Sequence, residues 1–498
     1  MLVKTDPDAI QSFLTDASNL RGGHATRVVF PETPEEVAET LARAARDGVG
    51  VTVAGAGTGL VGGRVPFGGV VLATDRLNRM KAITHEKDGG RATAEAGVAL
   101  ADFQRQIEAR GLLYPPDPTE RSCYLGATVA TNSSGARTFK YGPTRRYVRR
   151  LKIALTTGDL VDLNRGEIFA DASGAVRIPL SGGRCIEARL PTYRMPQTRK
   201  HAAGYFIAPG MDVIDLFIGS EGTLGVVTEV ETKLIPKPEN VLGGIVFFRE
   251  EEPLLAFVNR ARTLSLRTRE SKCAAEIDAR ALEYFDAEAL KFLRAKYPSI
   301  PDAAAGAIFF EQETTGETED RLQSAWLALL EEHGARVDES WFATTPRDRA
   351  GLREFRHALP VLVNEWLARH GQRKISTDMA VPDEAFAGML RFYQETLCAS
   401  RLHYVIFGHI GDNHLHVNIM PRDDEEAQAA RAIYLQFVRR AVSLGGTISA
   451  EHGIGKIKRD YLRELYGPEH LAEMAALKRA FDPARILGRG NIFGEEYL

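Results

Sequence analysis

Histidines concentrate in the last fifth of this sequence, beside an acidic residue, and the chain has 12 of them in all. Two segments carry the cluster: GHIGDNHLHVN at 408–418 and AEHGIG at 450–455. The imidazoles of His409 and His416, with the carboxylate of Glu451, form a donor set that suits a divalent metal. His452, next to that carboxylate, is placed to accept a proton. The set predicts an active site but does not define the reaction.

The spacing in the first segment predicts a β-hairpin that brings two histidines together. If Asp412 and Asn413 form a two-residue turn, His409 lies directly opposite His416 on the paired strand. Opposed side chains have Cβ atoms about 4.5–5.5 Å apart, a separation that suits two ligands of one ion. His414 shares the face of His416, because side chains alternate along a strand. Whether His414 adds a ligand is left open.

Length and composition are those of a globular protein with several domains. The chain has 498 residues, a hydrophobic content of 44% and a formal net charge of −3. This near-neutral charge argues against nucleic acid as a partner, and the basic run at 140–150 is interpreted as a solvated face. No segment approaches the ~20 apolar residues that span a bilayer. A cytoplasmic location is expected, with peripheral contact at the inner membrane left open.

Cysteine spacing narrows the cofactor chemistry. The four cysteines lie far apart and none forms a CxxC motif. This pattern argues against a structural zinc site, an iron–sulfur cluster and a disulfide framework.

The elements around these segments alternate between helix and strand signals. A helix is predicted after Thr33, which is its N-cap, with Glu36 completing a capping box and Gly48 ending it. A short strand then leads into the glycine-rich loop AGAGTGLVGG at 54–63. Residues 164–211 are predicted to be irregular. Later, a helix over 351–371 places Arg353 and His357 on one face, with a kink or break at Pro360.

The glycine loop is suited to phosphate. Gly55, Gly57 and Gly59 allow main-chain N–H groups to approach an anion, and Thr58 adds a hydroxyl. It is neither a Walker A loop nor a good Rossmann fingerprint, because no Gly-Lys-Ser/Thr and no helix follow it directly. By itself, a tight structural turn explains it equally well.

Three further segments combine glycines with small hydroxyl residues: YPPDPTERSCYLGATVATNSSGARTFKYG at 114–142, FIGSEGTLGVVTEV at 217–230 and FDPARILGRGNIF at 481–493. With these segments the sequence resembles the FAD-linked 2-hydroxy-acid dehydrogenases of the vanillyl-alcohol oxidase-type flavoproteins. The likeness extends from Thr26 to Phe493 and includes D-lactate dehydrogenases, D-2-hydroxyglutarate dehydrogenases and the flavin subunit of glycolate oxidase. It implies an α+β protein with a two-subdomain, PCMH-type FAD-binding domain and an α+β cap domain built on an antiparallel sheet. The implied division is an N-terminal extension at 1–25, the FAD domain at 26–238 and the cap domain at 239–498.

The resemblance implies that FAD is bound non-covalently and that a divalent metal, zinc or manganese, is held by His409, His416 and Glu451. It makes His452 the catalytic base, Asn418 a substrate ligand and Arg353 the anchor of the substrate carboxylate. The implied FAD-binding residues are Gly55, Ala56, Gly57, Thr58, Gly59, Gly62, Gly63, Pro116, Asp117, Pro118, Gly126, Thr131, Asn132, Ser133, Gly135, Tyr141, Glu221, Gly222, Thr223, Leu224, Gly225, Val226, Val227 and Asn491.

Some positions depart from the family pattern. Asn413 and His414 stand where Gly-Asn is usual, and LGRGNIF replaces LNPGKIF, which puts the flavin contact by Asn491 in doubt. Ser376 occupies a position where hydroxyglutarate enzymes carry lysine, and Lys374 is a candidate to compensate. From the residues alone, an ion pair of Arg353 with Glu354 or Glu365 on its own helix is the favoured interpretation.

The implied activity is oxidation of a D-2-hydroxy acid, of the D-lactate, glycolate or D-2-hydroxyglutarate class, to its 2-oxo acid. Hydride would pass to flavin N5, and electrons would leave for an external acceptor: a quinone, a cytochrome, electron-transfer flavoprotein or a separate iron–sulfur subunit. The alternatives are a non-redox flavoenzyme similar to alkyl-dihydroxyacetone-phosphate synthase, a flavin-free metallohydrolase and a flavin-binding subunit without catalysis. A homodimer is left open.

Overall fold

The structure, a computed structural model, describes residues 1–273 and 276–498. The strands are β1 Leu2–Lys4, β2 Arg27–Phe30, β3 Val51–Ala54, β4 Val70–Ala73, β5 Met80–Glu86, β6 Gly89–Glu95, β7 Leu112–Leu113, β8 Val148–Ala154, β9 Leu160–Asn164, β10 Ala175–Pro179, β11 Cys185–Arg189, β12 Val226–Pro236, β13 Asn240–Phe248, β14 Ala279–Asp286, β15 Gly306–Thr314, β16 Trp341–Phe342, β17 Ile375–Ser376, β18 His403–Gly408 and β19 His416–Met420. The helices are α1 Pro7–Ile10, α2 Pro34–Asp47, α3 Leu100–Glu108, α4 Leu125–Ala130, α5 Thr138–Tyr141, α6 Ile214–Phe217, α7 Glu251–Ser271, α8 Ala287–Leu293, α9 Glu319–Glu332, α10 Pro346–Arg369, α11 Phe386–Ser400, α12 Asp424–Ser443 and α13 Arg459–Phe481.

The first region is built on two sheets. The smaller has the order β1-β2-β4-β3 and pairs β4 in parallel with both β2 and β3. The larger has the order β5-β6-β12-β8-β9, with β7 added beside β12. The second region contains an antiparallel sheet in the order β16-β13-β15-β14-β18-β19-β17. The predicted α+β architecture, with an antiparallel sheet in the cap region, is therefore confirmed.

Helix α2 forms where its terminal residues predict it. The Thr33 hydroxyl accepts a hydrogen bond from the N–H of Glu36 at 3.2 Å, and Gly48 ends the helix at φ +67°. The Glu36 carboxylate accepts from the N–H of Glu32 instead of closing the capping box on Thr33. Valines of β2, β3 and β4 cover the buried face of α2, so this layer fixes the start of the glycine loop directly after β3.

The boundary between the two regions lies in a short connection, because β12 belongs to the first region and β13 to the cap sheet. The chain later crosses back to the first region. The N–H of Val51 in β3 donates to the carbonyl of Ile486 at 2.8 Å, and the N–H of Gly488 donates to Val51 at 2.9 Å. Residues 486–492 thus cover the edge strand β3 of the smaller sheet. The predicted division at 238/239 assigns these residues to the cap domain, although they pack on the first region.

Two other predictions need adjustment. The 164–211 segment, predicted to be irregular, contains the β10–β11 hairpin. Helix α10 begins earlier than predicted, at a capping box formed by Thr345 and Asp348, and it runs through Pro360 without dividing. Among the described helices, none has the length and apolar character needed to cross a membrane.

Asp286, at the end of β14, predicts a pH dependence of stability. Burial raises its pKa to about 7, although its carboxylate caps α8 by accepting from the N–H of Ala289 at 2.7 Å. The folded chain therefore binds a proton that the unfolded chain releases near pH 3.8, so the free energy of unfolding falls as pH rises toward 7. Between pH 5 and pH 8 the free energy of unfolding of the wild-type protein should fall by roughly 3 kcal/mol because of this group. We expect Asp286→Asn, whose side chain can still cap α8, to lack this fall. Urea denaturation at several pH values measures this. Free energies of unfolding that change with pH by the same amount in both proteins would contradict the prediction.

Candidate active site

The histidine hairpin differs in detail from the prediction. Strand β18 ends at Gly408, a 3-10 turn spans Ile410–Asp412, and Asn413 is left-handed at φ +55°. Phe407, not His409, pairs with His416. The predicted two-residue turn with His409 opposite His416 is therefore wrong. Tertiary bonds fix the longer turn, since the amide of Asn413 accepts from Arg262 at 2.7 Å and donates to Asp383 at 2.7 Å.

The imidazoles nevertheless meet the carboxylate of Glu451. His409 Nε2 lies 3.2 Å and His416 Nε2 3.3 Å from Glu451 Oε1. His414 supplies a third imidazole. One possible ligand atom from each of His409, His414, His416 and Glu451 lies within 4.8 Å of those of the other three. The cluster is buried or nearly so. Tertiary packing, rather than strand register, assembles this set.

Two of the imidazoles have a second polar partner on the ring nitrogen that faces away from Glu451. His409 Nδ1 lies 2.7 Å from Glu283 Oε1, and His416 Nδ1 lies 3.3 Å from the Thr377 carbonyl. Protein metal ligands commonly use this arrangement, because the outer partner fixes the tautomer and leaves the inner nitrogen free to bind.

The third imidazole, His414, supports the same interpretation. It is fully buried; its Nε2 lies 3.1 Å from Asp378 Oδ1, and its Nδ1 has no hydrogen-bond partner in the described residues. Burial lowers the pKa of His414 to about 3, so its ring is neutral. A buried ring nitrogen without a partner, such as this Nδ1, is uncommon unless it binds something else. Together with the nitrogen and oxygen donors around it, this residue fits a divalent metal.

The second oxygen of Glu451 faces the first region of the chain. Glu451 Oε2 accepts from the Ser134 hydroxyl at 3.1 Å and from Lys200 Nζ at 3.2 Å. Lys200 also donates to the Gly135 carbonyl at 3.0 Å. Burial alone would raise the pKa of Glu451, but Lys200 and the imidazoles hold it well below its usual range. Sequence reasoning missed Lys200, which lies in the irregular 190–213 stretch with no local signal.

Asp378 organises the other side of the cluster. Its carboxylate accepts from the Ser449 hydroxyl and from Lys458 Nζ, both at 2.6 Å, and from the N–H of His452 at 3.0 Å. Although burial opposes the charged form, His452 and Lys458 hold the pKa of Asp378 well below its usual range. Lys458 and Asp378 therefore form a buried ion pair.

His452 lies between Asp378 and Glu451. Its Nδ1 is 3.4 Å from Asp378 Oδ2, its Nε2 is 3.7 Å from Glu451 Oε1, and its ring stacks on that of His416. Burial lowers the pKa of His452 to about 4, which keeps the ring neutral near pH 7. The side chain is 22% exposed, so it is neutral, oriented and accessible, as a general base must be.

Arg353 does not lie where the prediction requires. It is exposed on α10, whereas Arg356, one turn later, donates through Nε to Glu283 Oε2 at 2.9 Å. Because Glu283 also binds His409, Arg356 is the arginine joined to the cluster. Helical periodicity could have predicted that Arg356 points inward, because the buried residues Leu352 and Leu359 lie at i−4 and i+3 from it.

Asn418 and His357 also lie near this group. Asn418 is 1% exposed on β19, two residues from His416 and on the same face, and its Oδ1 has no hydrogen bond in the described residues. His357 Nε2 lies 3.0 Å from Arg356 on α10, and burial lowers its pKa. Asn418 therefore offers a free acceptor beside the cluster. Lys374 precedes the β17 edge of the same sheet, and burial lowers its pKa as well.

The glycine loop has the properties of an anion cradle. Within the described chain, none of the main-chain N–H groups from Gly55 to Gly63 donates a hydrogen bond. Gly57 is left-handed at φ +83°, and the open side of Gly59 has no atom within 4 Å except an Asp16 oxygen at that distance. Arg64 holds the loop by donating to the carbonyls of Gly55 and Thr15. These free donors fit a pyrophosphate.

The other predicted FAD segments pack against this loop. A Cβ on Gly55 would lie 3.2 Å from Ala127 in α4, and one on Gly222 would lie 3.7 Å from Val53 in β3. The N–H of Glu221 donates to Ala130 at the end of α4 at 2.8 Å. The structure brings together these predicted segments: 55–63, 116–118, 126–135, 221–227 and Asn491. Tyr141 is buried, and its hydroxyl has no hydrogen bond in the described residues.

Cys123 lies two residues before α4, within the predicted FAD segment at 114–142. It is buried, and burial raises the pKa of its thiol to about 12. A thiol of this kind is a poor nucleophile. Non-covalent binding of FAD stays a prediction.

The segment that carries Glu451 and His452 continues directly onto the predicted FAD site. The carboxylate of Glu221 accepts from the N–H groups of Ile454 at 2.6 Å and Gly455 at 2.7 Å. Thus Glu221, predicted to contact the cofactor, uses its carboxylate to dock this segment. Beside it, Asn491 Nδ2 donates to the carbonyl of Gly63 at 3.0 Å, and its Oδ1 accepts from Lys456 Nζ at 2.7 Å.

This docking predicts a large effect of one methyl group. Gly455 has φ +51°, and a Cβ there would lie 2.1 Å from the carbonyl oxygen of Val61 in the glycine loop. We expect Gly455→Ala to raise the Kd for FAD at least about tenfold, measured by flavin fluorescence. Gly371→Ala is the matched control, because Gly371 has φ +65° with nothing within 4 Å of the added carbon. Equal FAD affinity in both variants would contradict the prediction.

Comparisons with known proteins bear on this arrangement. Residues 25–164 match the family described as "FAD binding domain", and residues 255–492 match "FAD linked oxidases, C-terminal domain". The chain is 30% identical to glycolate oxidase subunit GlcD of Bacillus subtilis over 94% of its length and 89% of that protein. It is 31% identical to D-lactate dehydrogenase of Anaerostipes hadrus, covering 97% and 92%. It is 27% identical to D-2-hydroxyglutarate dehydrogenase of Stutzerimonas stutzeri, covering 99% and 96%.

Among solved structures, an alkyldihydroxyacetonephosphate synthase superposes with a TM-score of 0.65 at 15% identity, covering 98% of this chain and 82% of that one. This likeness supports the fold alone. The fold and the matched families thus define an FAD-binding oxidoreductase. The chain belongs to the family of FAD-linked oxidases and dehydrogenases that includes the D-lactate and D-2-hydroxyglutarate dehydrogenases.

Proposed function

We propose that this protein oxidises a D-2-hydroxy acid to the corresponding 2-oxo acid. The observation that carries the proposal is the continuity of the 450–455 segment. One part of this segment supplies Glu451 and His452 to the imidazole cluster, and the next part docks on Glu221 beside the glycine loop. The segment therefore links the proposed proton acceptor, His452, to the predicted FAD site through a few residues, which supports the proposal. The names of the relatives point to the same substrate class.

His409, His416 and Glu451 would hold the divalent ion, which when bound lowers the pKa of a substrate hydroxyl beside it. His452 accepts the hydroxyl proton at Nε2, the nitrogen that faces Glu451. Asp378 holds the Nδ1 side of the ring and binds the N–H of His452, so the imidazole keeps its orientation. The glycine loop would hold FAD, which would supply the acceptor for the hydride from C2.

The substrate carboxylate would bind Arg356 rather than Arg353, with the free oxygen of Asn418 directed at the hydroxyl side. The reduced flavin would pass its electrons to a quinone, a cytochrome, electron-transfer flavoprotein or a separate iron–sulfur subunit. The cysteine spacing supplies no iron–sulfur ligands from this chain. A cytoplasmic location and a homodimer stay predictions.

The alternatives differ in what they require of the flavin. The FAD-binding domain removes the support for a flavin-free metallohydrolase. A non-redox flavoenzyme, or a subunit without catalysis, would bind FAD but would not transfer hydride from a hydroxy acid.

The test is anaerobic reduction of the flavin. The purified yellow protein is mixed with D-lactate, glycolate and D-2-hydroxyglutarate, with the L-enantiomers of the two chiral acids as controls. We expect at least one acid to bleach the 450 nm flavin band with first-order kinetics, the D-enantiomer being preferred where the acid is chiral. A yellow protein that no 2-hydroxy acid bleaches would overturn the proposal.

The position of Arg356 predicts a difference between two arginines on one helix. Arg356→Lys retains the positive charge but cannot form the two-point contact proposed for the substrate carboxylate. KM for the hydroxy acid should therefore rise about 10–100-fold. Arg353→Lys, on the exposed side of α10, should leave KM and kcat unchanged. Steady-state kinetics of both variants decide the matter. A larger effect at Arg353 would restore the assignment made from the sequence.

A further inference from the structure

His414 is the member of the imidazole cluster to which the family resemblance assigns no role. The pair Asn413-His414 stands at the two positions where the family pattern has Gly-Asn. The turn that ends β18 places it beside the other two histidines, with ring centroids 5.3 Å from His409 and 4.6 Å from His416. The residue is fully buried between them.

The two ring nitrogens of His414 have different surroundings. Nε2 lies 3.1 Å from Asp378 Oδ1, although off the line of a hydrogen bond. Asp378 is itself held by Lys458 and Ser449, so this side of the ring faces a fixed carboxylate. Nδ1 has no partner among the described residues. A carboxylate beside one nitrogen and a free second nitrogen is the arrangement of a metal-binding histidine.

We propose that His414 is a fourth protein ligand of the divalent metal, so that the site has three imidazoles and one carboxylate. The inference rests on the proposed metal site and adds a residue to it. Its direct support is that donor atoms of His409, His414, His416 and Glu451 all lie within 4.8 Å of one another. The Nδ1 of this fully buried ring has no hydrogen-bond partner among the described residues, as expected of a nitrogen that binds a metal.

The fourth ligand restricts the kind of ion that the proposed chemistry accepts. Zinc in proteins most often takes four ligands, and three imidazoles with one carboxylate would fill them. Binding a substrate hydroxyl requires a further position. Ions that accept five or six ligands, with Mn²⁺ as the example, retain that position while still binding nitrogen and oxygen donors. We therefore expect the Mn²⁺-loaded protein to reduce its flavin faster than the Zn²⁺-loaded protein.

The direct test counts nitrogens and needs no variant. Pulsed EPR of the Mn²⁺-loaded wild-type protein, which retains its FAD, should show couplings from three imidazole nitrogens. Couplings from two imidazoles would overturn the inference while leaving the proposed function intact. A protein that binds neither Mn²⁺ nor Zn²⁺ would overturn both the inference and the metal part of the proposed function.

A pair of variants tests the same point by affinity. His414→Asn should raise the Kd for Mn²⁺ at least about tenfold and remove one nitrogen coupling from the EPR spectrum. His403→Asn is the matched control, because His403 is an exposed histidine on β18 of the same hairpin. Circular dichroism and flavin content show whether each variant is folded. An unchanged Kd for Mn²⁺ in folded His414→Asn, or flavin reduction that is faster with Zn²⁺ than with Mn²⁺, would contradict the inference.

Discussion

Replacing His452 by glutamine should lower the rate of flavin reduction by about 10²–10⁴-fold while FAD stays bound. The side chain is the proposed base and is 22% exposed, and the link to the predicted FAD site is made by the nearby N–H of Ile454, which donates to Glu221. Glutamine can donate and accept hydrogen bonds but does not take up a proton near neutral pH. The expected loss is therefore in the proton-transfer step and not in cofactor binding.

Stopped-flow reduction under anaerobic conditions measures this step, with flavin content and metal content as controls. His403→Gln, at an exposed position of β18, should behave as the wild-type protein. Imidazole added to His452→Ala should restore part of the rate, because the wild-type ring is 22% exposed and the cavity is reachable. A His452→Gln enzyme with more than a tenth of the wild-type rate would remove this residue from the mechanism.

Replacing Asp378 by asparagine should lower the free energy of unfolding by about 3–5 kcal/mol. The carboxylate is fully buried and neutralises Lys458, whose side chain is 7% exposed. Asparagine leaves that ammonium without a counter-ion, and a buried charge without a partner is costly. The same change loosens His452, because its N–H and ring both face Asp378.

A double-mutant cycle separates these two effects. Lys458→Met in the Asp378→Asn background should recover part of the stability, because the unpaired charge is gone, but it should not recover the rate of flavin reduction. Asp302→Asn, with a side chain that is 98% exposed, is the matched control and should change neither quantity. Urea denaturation followed by flavin fluorescence and by circular dichroism gives the stability. Independent, additive effects of the two substitutions would contradict a direct Asp378–Lys458 interaction.

Local features of the fold were predictable because their causes are local. The start of α2 depends on a hydroxyl, Thr33, that reaches an N–H three residues later, and its end depends on a left-handed glycine at 48. The position of the glycine loop directly after β3 was also predictable, because the apolar strand residues run directly into the glycines in the sequence. The antiparallel cap sheet was implied by the family resemblance, and the structure confirms it.

The site was less predictable where it depends on tertiary contacts. Alternation along 403–420 cannot show that β18 ends at Gly408, since Arg262 and Asp383 from distant segments hold the turn at Asn413. Lys200 reaches Glu451 from 251 residues away, out of an irregular stretch with no periodicity. Such residues are recognisable only after the chain has folded around them.

The return of residues 486–492 to the first region has a consequence for the biogenesis of the protein. Asn491 binds the carbonyl of Gly63 across 428 positions of sequence, and Ile486 and Gly488 pair with Val51 on the edge strand β3. A nascent chain emerges from its N-terminus, so the flavin domain stays incomplete until these late residues have left the ribosome. We therefore expect stable loading of the prosthetic group to follow translation of this stretch. Shortened products that lack this stretch would accumulate as colourless apoprotein with an open strand edge.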